Sequence, residues 1–382
     1  MIGVLADDLT GAGELAGLGL RYGLRAEVLT DPALGSDAEL LCVDTDSRSC
    51  HPMEAGQRAA AAADRLAALG AGRIYKKVDS VLRGRILAEL EAVMKQLGRR
   101  RALLVPANPA LRRVVRGGKY FVRDQPIHET DFRLDPEYPR RSSSVRELLG
   151  ATDASAVHLR AGHEPLPETG IIVGEAETAD DLRHWAGRCD GATLTAGAAQ
   201  FFGAWLEASG RRAVSAAGEE DAAATPELFI CGSASEACRS FAAQARQRGV
   251  PVFGLPARVT AGAELSAEEL ASLAAHAAAA LAAAPRVILE IGLPQVTDPR
   301  IAPQLAGQLV KLARLVLAGA DVGHVFAEGG ATGASLLRSM NWSRLVAVRE
   351  IAQGVVTFRV PGDRQCLLTI KPGSYPWPKQ IQ

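Results

Sequence analysis

Aromatic residues are scarce, making up 5% of the 382 residues. So few rings do not furnish the stacking platforms on which single-stranded nucleic acids bind. An excess of charge of one sign is also missing, because 43 Lys plus Arg balance 43 Asp plus Glu. Zero net charge argues against a general nucleic-acid binder and leaves room for a local basic pocket that holds a small anion. No charged, then apolar, leader opens the chain; Met1, Ile2, Gly3 and Val4 run straight into an expected strand. The longest apolar tract, around Leu270 to Ala284, is mostly alanine and carries His276, so it is too weakly hydrophobic for a membrane span. The six cysteines, Cys42, Cys50, Cys189, Cys231, Cys238 and Cys366, form no C-x-x-C pair and no zinc spacing. Reduced thiols and a cytoplasmic location are therefore expected. G-x-x-x-x-G-K-[ST] is absent too, which excludes a P-loop.

What is present suits a globular protein, with 48% hydrophobic and 23% charged residues over a length that favours two domains. The first half alternates short apolar runs with helical stretches. Strands are expected at 2–6, 26–30, 40–43, 74–78 and 102–105, and helices at 11–22, 54–69 and 84–97. Such alternation predicts an α/β fold with mostly parallel sheets flanked by helices. Residues 118–127 break the pattern and read as a hairpin or lid, and further βα units are expected from Val157 to Glu207. The small, polar and acidic stretch 209–226 reads as a linker, giving domains at 1–215 and 226–382. The second half restarts the alternation with strands at 227–231, 251–254, 286–291, 323–327, 345–348 and 367–370.

Three strand ends in the first half carry charge. Asp7 and Asp8 follow the first strand, before a glycine turn that opens a helix. Ligands of open α/β sheets bind outside the carboxyl ends of strands. Alternation sends the two side chains in different directions, so one is free to face a ligand while the other orients the loop or caps the helix. The run Asp44-Thr45-Asp46-Ser47-Arg48 ends the third strand in the same manner. The segment Lys76-Lys77-Val78-Asp79-Ser80-Val81-Leu82-Arg83-Gly84 joins cations, a carboxylate and a hydroxyl. An arginine fork suits bidentate capture of a carboxylate, and Lys77 adds a compact positive charge. Asp79 or Asp8 is suited to take a proton from an attacking hydroxyl. His128 and Glu129 have no third partner at metal-like spacing, so zinc is not expected there.

The second half places glycine and hydroxyl groups after its strands, in Gly232-Ser233-Ala234-Ser235, Gly329-Gly330-Ala331-Thr332-Gly333 and Lys371-Pro372-Gly373-Ser374. Glycines let backbone amides approach phosphate oxygens, and helix N-termini favour anions. A different reading is that Gly11-x-Gly13-x-x-x-Gly17, with Asp31 after the second strand, holds NAD for a dehydrogenase of a small hydroxy acid. The spacing differs from that fingerprint, and two carboxylates precede it. A non-catalytic sensor of sugar acid and nucleotide is the other alternative.

Taken together, these segments resemble the four-carbon acid sugar kinase family nearly end to end. Ala6 to Ala12 is similar to the family's opening signature, and Lys76 to Gly84 to its K-[KT]-x-D-S-T-L-R-G. Pro106-Ala107-Asn108-Pro109, His128 to Phe132 and Asp135-Pro136 resemble its middle block, and the three glycine segments its nucleotide loops. The resemblance implies an N-terminal domain that holds the acid, a C-terminal domain that holds ATP, and reaction across the cleft between them. It implies threonate, erythronate or 3-oxo-tetronate as substrates, phosphorylated on the terminal hydroxyl with Mg²⁺. Asp7, Asp8, Lys77, Asp79, Ser80 and Arg83 would then line the acid site, with Asp8 and Asp79 catalytic. Ser233, Ser235, Gly329, Gly330, Ala331, Thr332 and Gly373 would contact the nucleotide, with the metal ligands left open. The partner is a small anion, with no nucleic acid or membrane, and a homodimer is compatible. The chain departs from the pattern at Val81, Ala331, Pro372 and Tyr375-Pro376-Trp377-Pro378, which bears on substrate choice and nucleotide affinity.

Overall fold

The computed structural model describes all residues except 32, 136, 153–156, 215–225, 234, 293–300, 363–365, 374 and 382, and the side chains of 260, 261 and 302. Most of the expected linker, together with Pro136, Ala234 and Ser374 of the motifs above, lies outside the described residues. The chain divides into two compact units, Met1–Ser215 and Ala216–Gln382.

The first unit runs β1 (Ile2–Ala6), α1 (Leu9–Arg21), β2 (Ala26–Leu29), β3 (Leu40–Asp44), α2 (Pro52–Ala68), β4 (Arg73–Lys77), α3 (Ile86–Gln96) and β5 (Arg101–Val105). It continues with β6 (Arg113–Arg116), β7 (Lys119–Val122), β8 (Gln125–Pro126), α4 (Val145–Leu149), β9 (Val157–Arg160), β10 (Gly170–Gly174), α5 (Ala179–Gly187), β11 (Thr193–Gly197) and α6 (Ala199–Ala208). Its main strands lie in the order β2-β3-β1-β4-β11-β5-β10-β9, and every pairing among them is parallel. Strands covered on both faces read as unbroken apolar runs. β1 (Ile-Gly-Val-Leu-Ala) is buried throughout. The apolar core joins Leu5, Leu41 and Val43 of the strands to Leu66 of α2 and Ile86, Leu90 and Val93 of α3. The expected hairpin is present and gains a strand that its sequence did not announce: β6, β7 and β8 form a separate antiparallel sheet.

The second unit runs β12 (Glu227–Cys231), α7 (Glu236–Gln247), β13 (Val252–Gly254), α8 (Ala267–Ala283), β14 (Arg286–Glu290), α9 (Ile301–Gly319), β15 (His324–Glu328), α10 (Gly330–Met340), β16 (Arg344–Ala352), β17 (Val355–Val360) and β18 (Cys366–Lys371). The order is β13-β14-β12-β15-β18-β17-β16. Pairs from β13 to β18 are parallel, and β17 pairs antiparallel with both β18 and β16. Ser266 and Glu269 make the expected capping box at the start of α8. The core stacks Phe229 on Phe326 at 4.2 Å, with Trp377 edge-on to Phe229 at 5.4 Å. All six cysteines are free. Among the described residues, no helix is long and apolar enough to cross a membrane.

Candidate active site

In the first unit, β1 and β3 are in register with Ala6 opposite Asp44, so Asp7 and Asp8 leave the sheet beside the end of β3. The backbone N–H groups of Ser47 and Arg48 donate to the carbonyl of Asp7 at 3.0 and 3.2 Å, which brings the Arg48 side chain onto both carboxylates. Its Nε and Nη2 lie 2.7 and 2.9 Å from the two oxygens of Asp7, and its Nη1 lies 2.7 Å from Asp8. Burial raises the pKa of the Asp7 carboxyl, but Arg48 and then Lys76 more than offset it and hold it below its ordinary value.

Asp8 turns the other way and caps α1, accepting from the Gly11 N–H at 2.9 Å and the Thr10 hydroxyl at 2.6 Å. Its carboxylate therefore fills the helix N-terminus where the pyrophosphate of a dinucleotide would have to sit. Gly11, Gly13 and Gly17 lie within α1 itself. The NAD alternative loses its anion site for that physical reason.

At the end of β4, Lys76 is fully buried and pairs with Glu89 at 3.0 Å, and the Ser47 hydroxyl also donates to Glu89. Lys77 lies 3.3 Å from Glu14 of α1. Asp79 accepts from the N–H groups of Val81 and Arg83 and from Arg83 Nε, each at 3.1 Å, and from Arg83 Nη2 at 2.8 Å. The turn is closed by the Leu82 N–H on the Asp79 carbonyl at 2.9 Å, with Leu82 at φ +63°. Burial raises the Asp79 carboxyl, yet Arg83 and Arg48 hold it well below its ordinary value. Arg83 Nη1 lies 3.2 Å from Asp135. Gly84 sits at φ +96°, and a Cβ there would stand 2.7 Å from an Asp7 oxygen, so glycine lets this turn close on Asp7.

The hairpin is tied to the same place, since Arg113 of β6 donates to the Ser80 hydroxyl and the Tyr120 hydroxyl of β7 donates to the Ser80 carbonyl. Asp44 is 4% exposed, and its carboxylate accepts the Asp46 N–H at 2.9 Å. Burial, with lesser repulsion from Asp8, Asp46 and Asp7, pushes its pKa up to about 8. The ends of β1, β3 and β4 thus bring Asp7, Asp8, Lys77, Asp79, Ser80 and Arg83 into one charged network. Sequence reasoning had marked the run from Asp44 to Arg48 as a charged strand end but had given neither Asp44 nor Arg48 a role. Arg113 and Arg140 lie outside the strand–helix pattern and carried no signal at all.

In the second unit, β15 lies between β12 and β18, with Cys231 opposite Glu328 and Glu328 opposite Lys371. The three glycine segments therefore follow three neighbouring parallel strands. The hydroxyls of Ser233 and Ser235 both donate to the Gly373 carbonyl, at 3.2 and 3.0 Å. Ser235 also caps α7 through the Cys238 N–H at 3.2 Å. Gly329, at φ +96°, precedes α10 and donates its N–H to the Lys371 carbonyl at 2.9 Å. Gly330, Ala331 and Thr332 form the first turn of α10. A Cβ at Gly232 would stand 1.9 Å from Thr332 Oγ1, so only glycine lets these two segments meet.

Beneath the loops, Lys371 pairs with Glu328 at 3.2 Å and faces the Trp377 ring at 5.1 Å. Trp377 Nε1 donates to the other Glu328 oxygen at 3.1 Å. The divergent tail is thus built into the core. Backbone donors and hydroxyls at helix starts fit the phosphates of a nucleotide. Cys231, Cys238 and Glu328 are the one group of metal-type donors among the described residues, with ligand atoms within 4.8 Å of one another. They do not fit Mg²⁺, which takes oxygen ligands, and Lys371 already supplies the cation beside Glu328.

Comparison with known proteins accords with this division. The family profile described as a sugar-binding N-terminal domain matches residues 2–205, and that of a nucleotide-binding C-terminal domain matches residues 228–375. The chain is 33% identical over 397 residues to a D-threonate kinase of Bordetella bronchiseptica, covering 97% of this chain and 92% of that protein. It is 28% identical to a 3-oxo-tetronate kinase of Methylobacterium radiotolerans, covering 98% and 96% of the two chains. A solved structure described as a putative tRNA synthase from Salmonella typhimurium matches with a TM-score of 0.79 at 20% identity, covering 98% of this chain and 96% of that one; at that identity the likeness speaks for the fold alone. The chain belongs to the four-carbon acid sugar kinase family.

Proposed function

We propose that the protein is an ATP-dependent kinase that phosphorylates the terminal hydroxyl of a four-carbon sugar acid such as threonate, erythronate or 3-oxo-tetronate. The observation that carries this reading is the alignment of 97% of the chain with a D-threonate kinase at 33% identity. Asp7, Asp8, Lys77, Asp79, Ser80 and Arg83 line the acid-sugar site. Asp8 or Asp79 accepts the hydrogen bond of the reacting hydroxyl and orients it for in-line attack. Arg48 and Arg83 fix these carboxylates in direction through their hydrogen bonds, so little reorganisation accompanies the reaction. Ser233, Ser235, Gly329, Gly330, Ala331, Thr332 and Gly373 hold the nucleotide through backbone N–H groups and hydroxyls. ATP held there would supply the phosphoryl group, and the Mg²⁺ that accompanies it would neutralise the phosphate charge.

A coupled ADP-release assay with a panel of four-carbon acids tests this reading. ADP is expected to appear with at least one acid and to require Mg²⁺. A protein that releases no ADP with any of them, while holding both acid and nucleotide, is instead the sensor.

A further inference from the structure

Four arginines surround the Asp79 turn, and they differ in what their guanidinium groups hold; Arg113 is on the Ser80 hydroxyl. The Nε/Nη2 edge of Arg48 grips Asp7 side-on. The same edge of Arg83 grips Asp79, and Arg83 Nη1 is on Asp135. Lys77, the other cation expected to meet an acid, is on Glu14. Arg140 is different. It is 6% exposed, and its Nε and Nη2 are buried with no hydrogen-bond partner among the described residues.

Its position is fixed by its surroundings. The Arg140 N–H donates to the Phe132 carbonyl at 3.1 Å, and the guanidinium lies 5.8 Å from the Tyr138 ring centre. Tyr138 in turn donates its hydroxyl to the Arg48 carbonyl and its N–H is held by Asp135 at 2.8 Å. Asp79, Arg83 and Asp135 are close enough to bear on the charge of Arg140. The segment that carries Arg140 is therefore strapped to the ends of β3 and β4, where the reaction is placed.

A buried guanidinium edge without a partner costs free energy in proportion to the donors left unmade. The Nε/Nη2 edge presents two parallel N–H groups, which match a planar carboxylate. Two neighbours already demonstrate that pairing with side chains of the protein. We propose that Arg140 is the anchor for the carboxylate of the substrate, and that it gives the enzyme its preference for sugar acids over neutral polyols. This rests on the kinase reading above and adds a residue to it. Arg83 and Lys77 then act through Asp79 and Glu14 and do not carry the acid's charge themselves.

The test compares wild type, Arg140→Gln and Arg140→Lys on four-carbon acids and on the matching tetritols, which carry a CH₂OH in place of the carboxyl. Arg140→Gln is expected to raise KM for the acid about 10- to 100-fold, as for a lost charged hydrogen bond, with kcat changed far less. Its melting temperature should hold or rise, since an unpartnered buried charge is gone. Arg140→Lys keeps the charge without the fork and should fall between. Discrimination between acid and tetritol should collapse in Arg140→Gln. A role confined to folding would instead lower melting temperature and depress acids and tetritols alike, and that result overturns the proposal. Acid binding is also read without nucleotide, as a thermal upshift. If wild type phosphorylates an acid and Arg140→Gln keeps KM and acid preference, only the anchor assignment fails. If wild type binds acids through Arg140 but releases no ADP, the anchor stands and the kinase reading fails.

Discussion

The two units present opposite kinds of strand end. In the first, the ends of β1, β3 and β4 are built from charged side chains that hold one another, with Arg48 across Asp7 and Asp8 and with Arg83 across Asp79 and Asp135. In the second, the ends of β12, β15 and β18 are built from glycine backbone and small hydroxyls. The ion pair found there among the described residues, Glu328–Lys371, is sunk beneath the loops with both side chains nearly fully buried. A small chiral acid demands fixed charges at fixed points. A polyphosphate is satisfied by any array of N–H donors, so its site needs close backbone approach more than particular side chains. The first site should therefore fail when a charge is removed, and the second when a methyl group is added.

The largest effect is expected from Arg48→Ala. It strands the Asp7 carboxylate, 2% exposed, without its partner. Loss of one member of a buried pair costs about 3–5 kcal/mol, to be read from urea unfolding, and phosphorylation of the acid should fall with it. Arg48→Ala combined with Asp7→Ala should recover part of the stability and none of the activity. Near-native stability of the single variant would mean that the pair is not what orders these strand ends. Next in size is Gly232→Ala, whose new methyl must displace Thr332. Overpacking of this kind costs about 1–3 kcal/mol. KM for ATP should rise while the thermal upshift produced by the acid stays as in wild type. An equal loss of both would break the contrast between the units.

That contrast also explains what the sequence disclosed. Strands with both faces covered, such as Ile2–Ala6 and Glu227–Cys231, were legible as continuous apolar runs. Asp7, Asp8, Asp79 and Arg83 were legible because charge at a strand end has no packing reason to be there. Asp8 as helix cap was foreseen only as one of two options, because a strand-end carboxylate and an N-cap have the same local sequence. The pairings were not legible. Arg48 reaches Asp7 across about 40 residues of chain through a β3–β1 register that no local pattern encodes. Strand β6 was missed although it pairs locally with β7 across Gly117 and Gly118, because its four residues, Arg-Val-Val-Arg, are too short a run to stand out. Arg140 was missed because the charged groups beside it, Asp79 and Arg83, are distant in sequence. In the second unit, Trp377 reads as an anomalous tail until its indole is seen to hold Glu328.

The units also separate by pH. Asp44 has a folded pKa of about 8, above its unfolded value near 3.8. A raised folded pKa gives stability that is fully present below pH 3.8 and lost as pH rises through 8. Asp44→Asn removes that dependence. Its melting temperature should overtake that of wild type progressively between pH 4 and pH 8 and then run parallel. His324, in β15, behaves in the opposite sense. Burial lowers its pKa to about 4, so the stability it contributes is present above pH 6.5 and lost as pH falls through 4. His324→Gln should soften only the acid limb. Matching pH profiles for the two variants would refute both assignments.

The smallest effect probes how the second site shares its bonds. Ser235 caps α7 and donates to the Gly373 carbonyl, and Ser233 donates to the same oxygen. Ser235→Ala loses the cap, about 1 kcal/mol, yet leaves Gly373 served by Ser233. Ser233→Ala leaves it served by Ser235. Each single variant should therefore shift KM for ATP by no more than about threefold, less than one net hydrogen bond. The double variant deprives the Gly373 loop of both donors, so its effect on KM should exceed the product of the two singles. Strict additivity would mean that the two hydroxyls act independently, and that the Gly373 loop is held by its own backbone and needs neither serine.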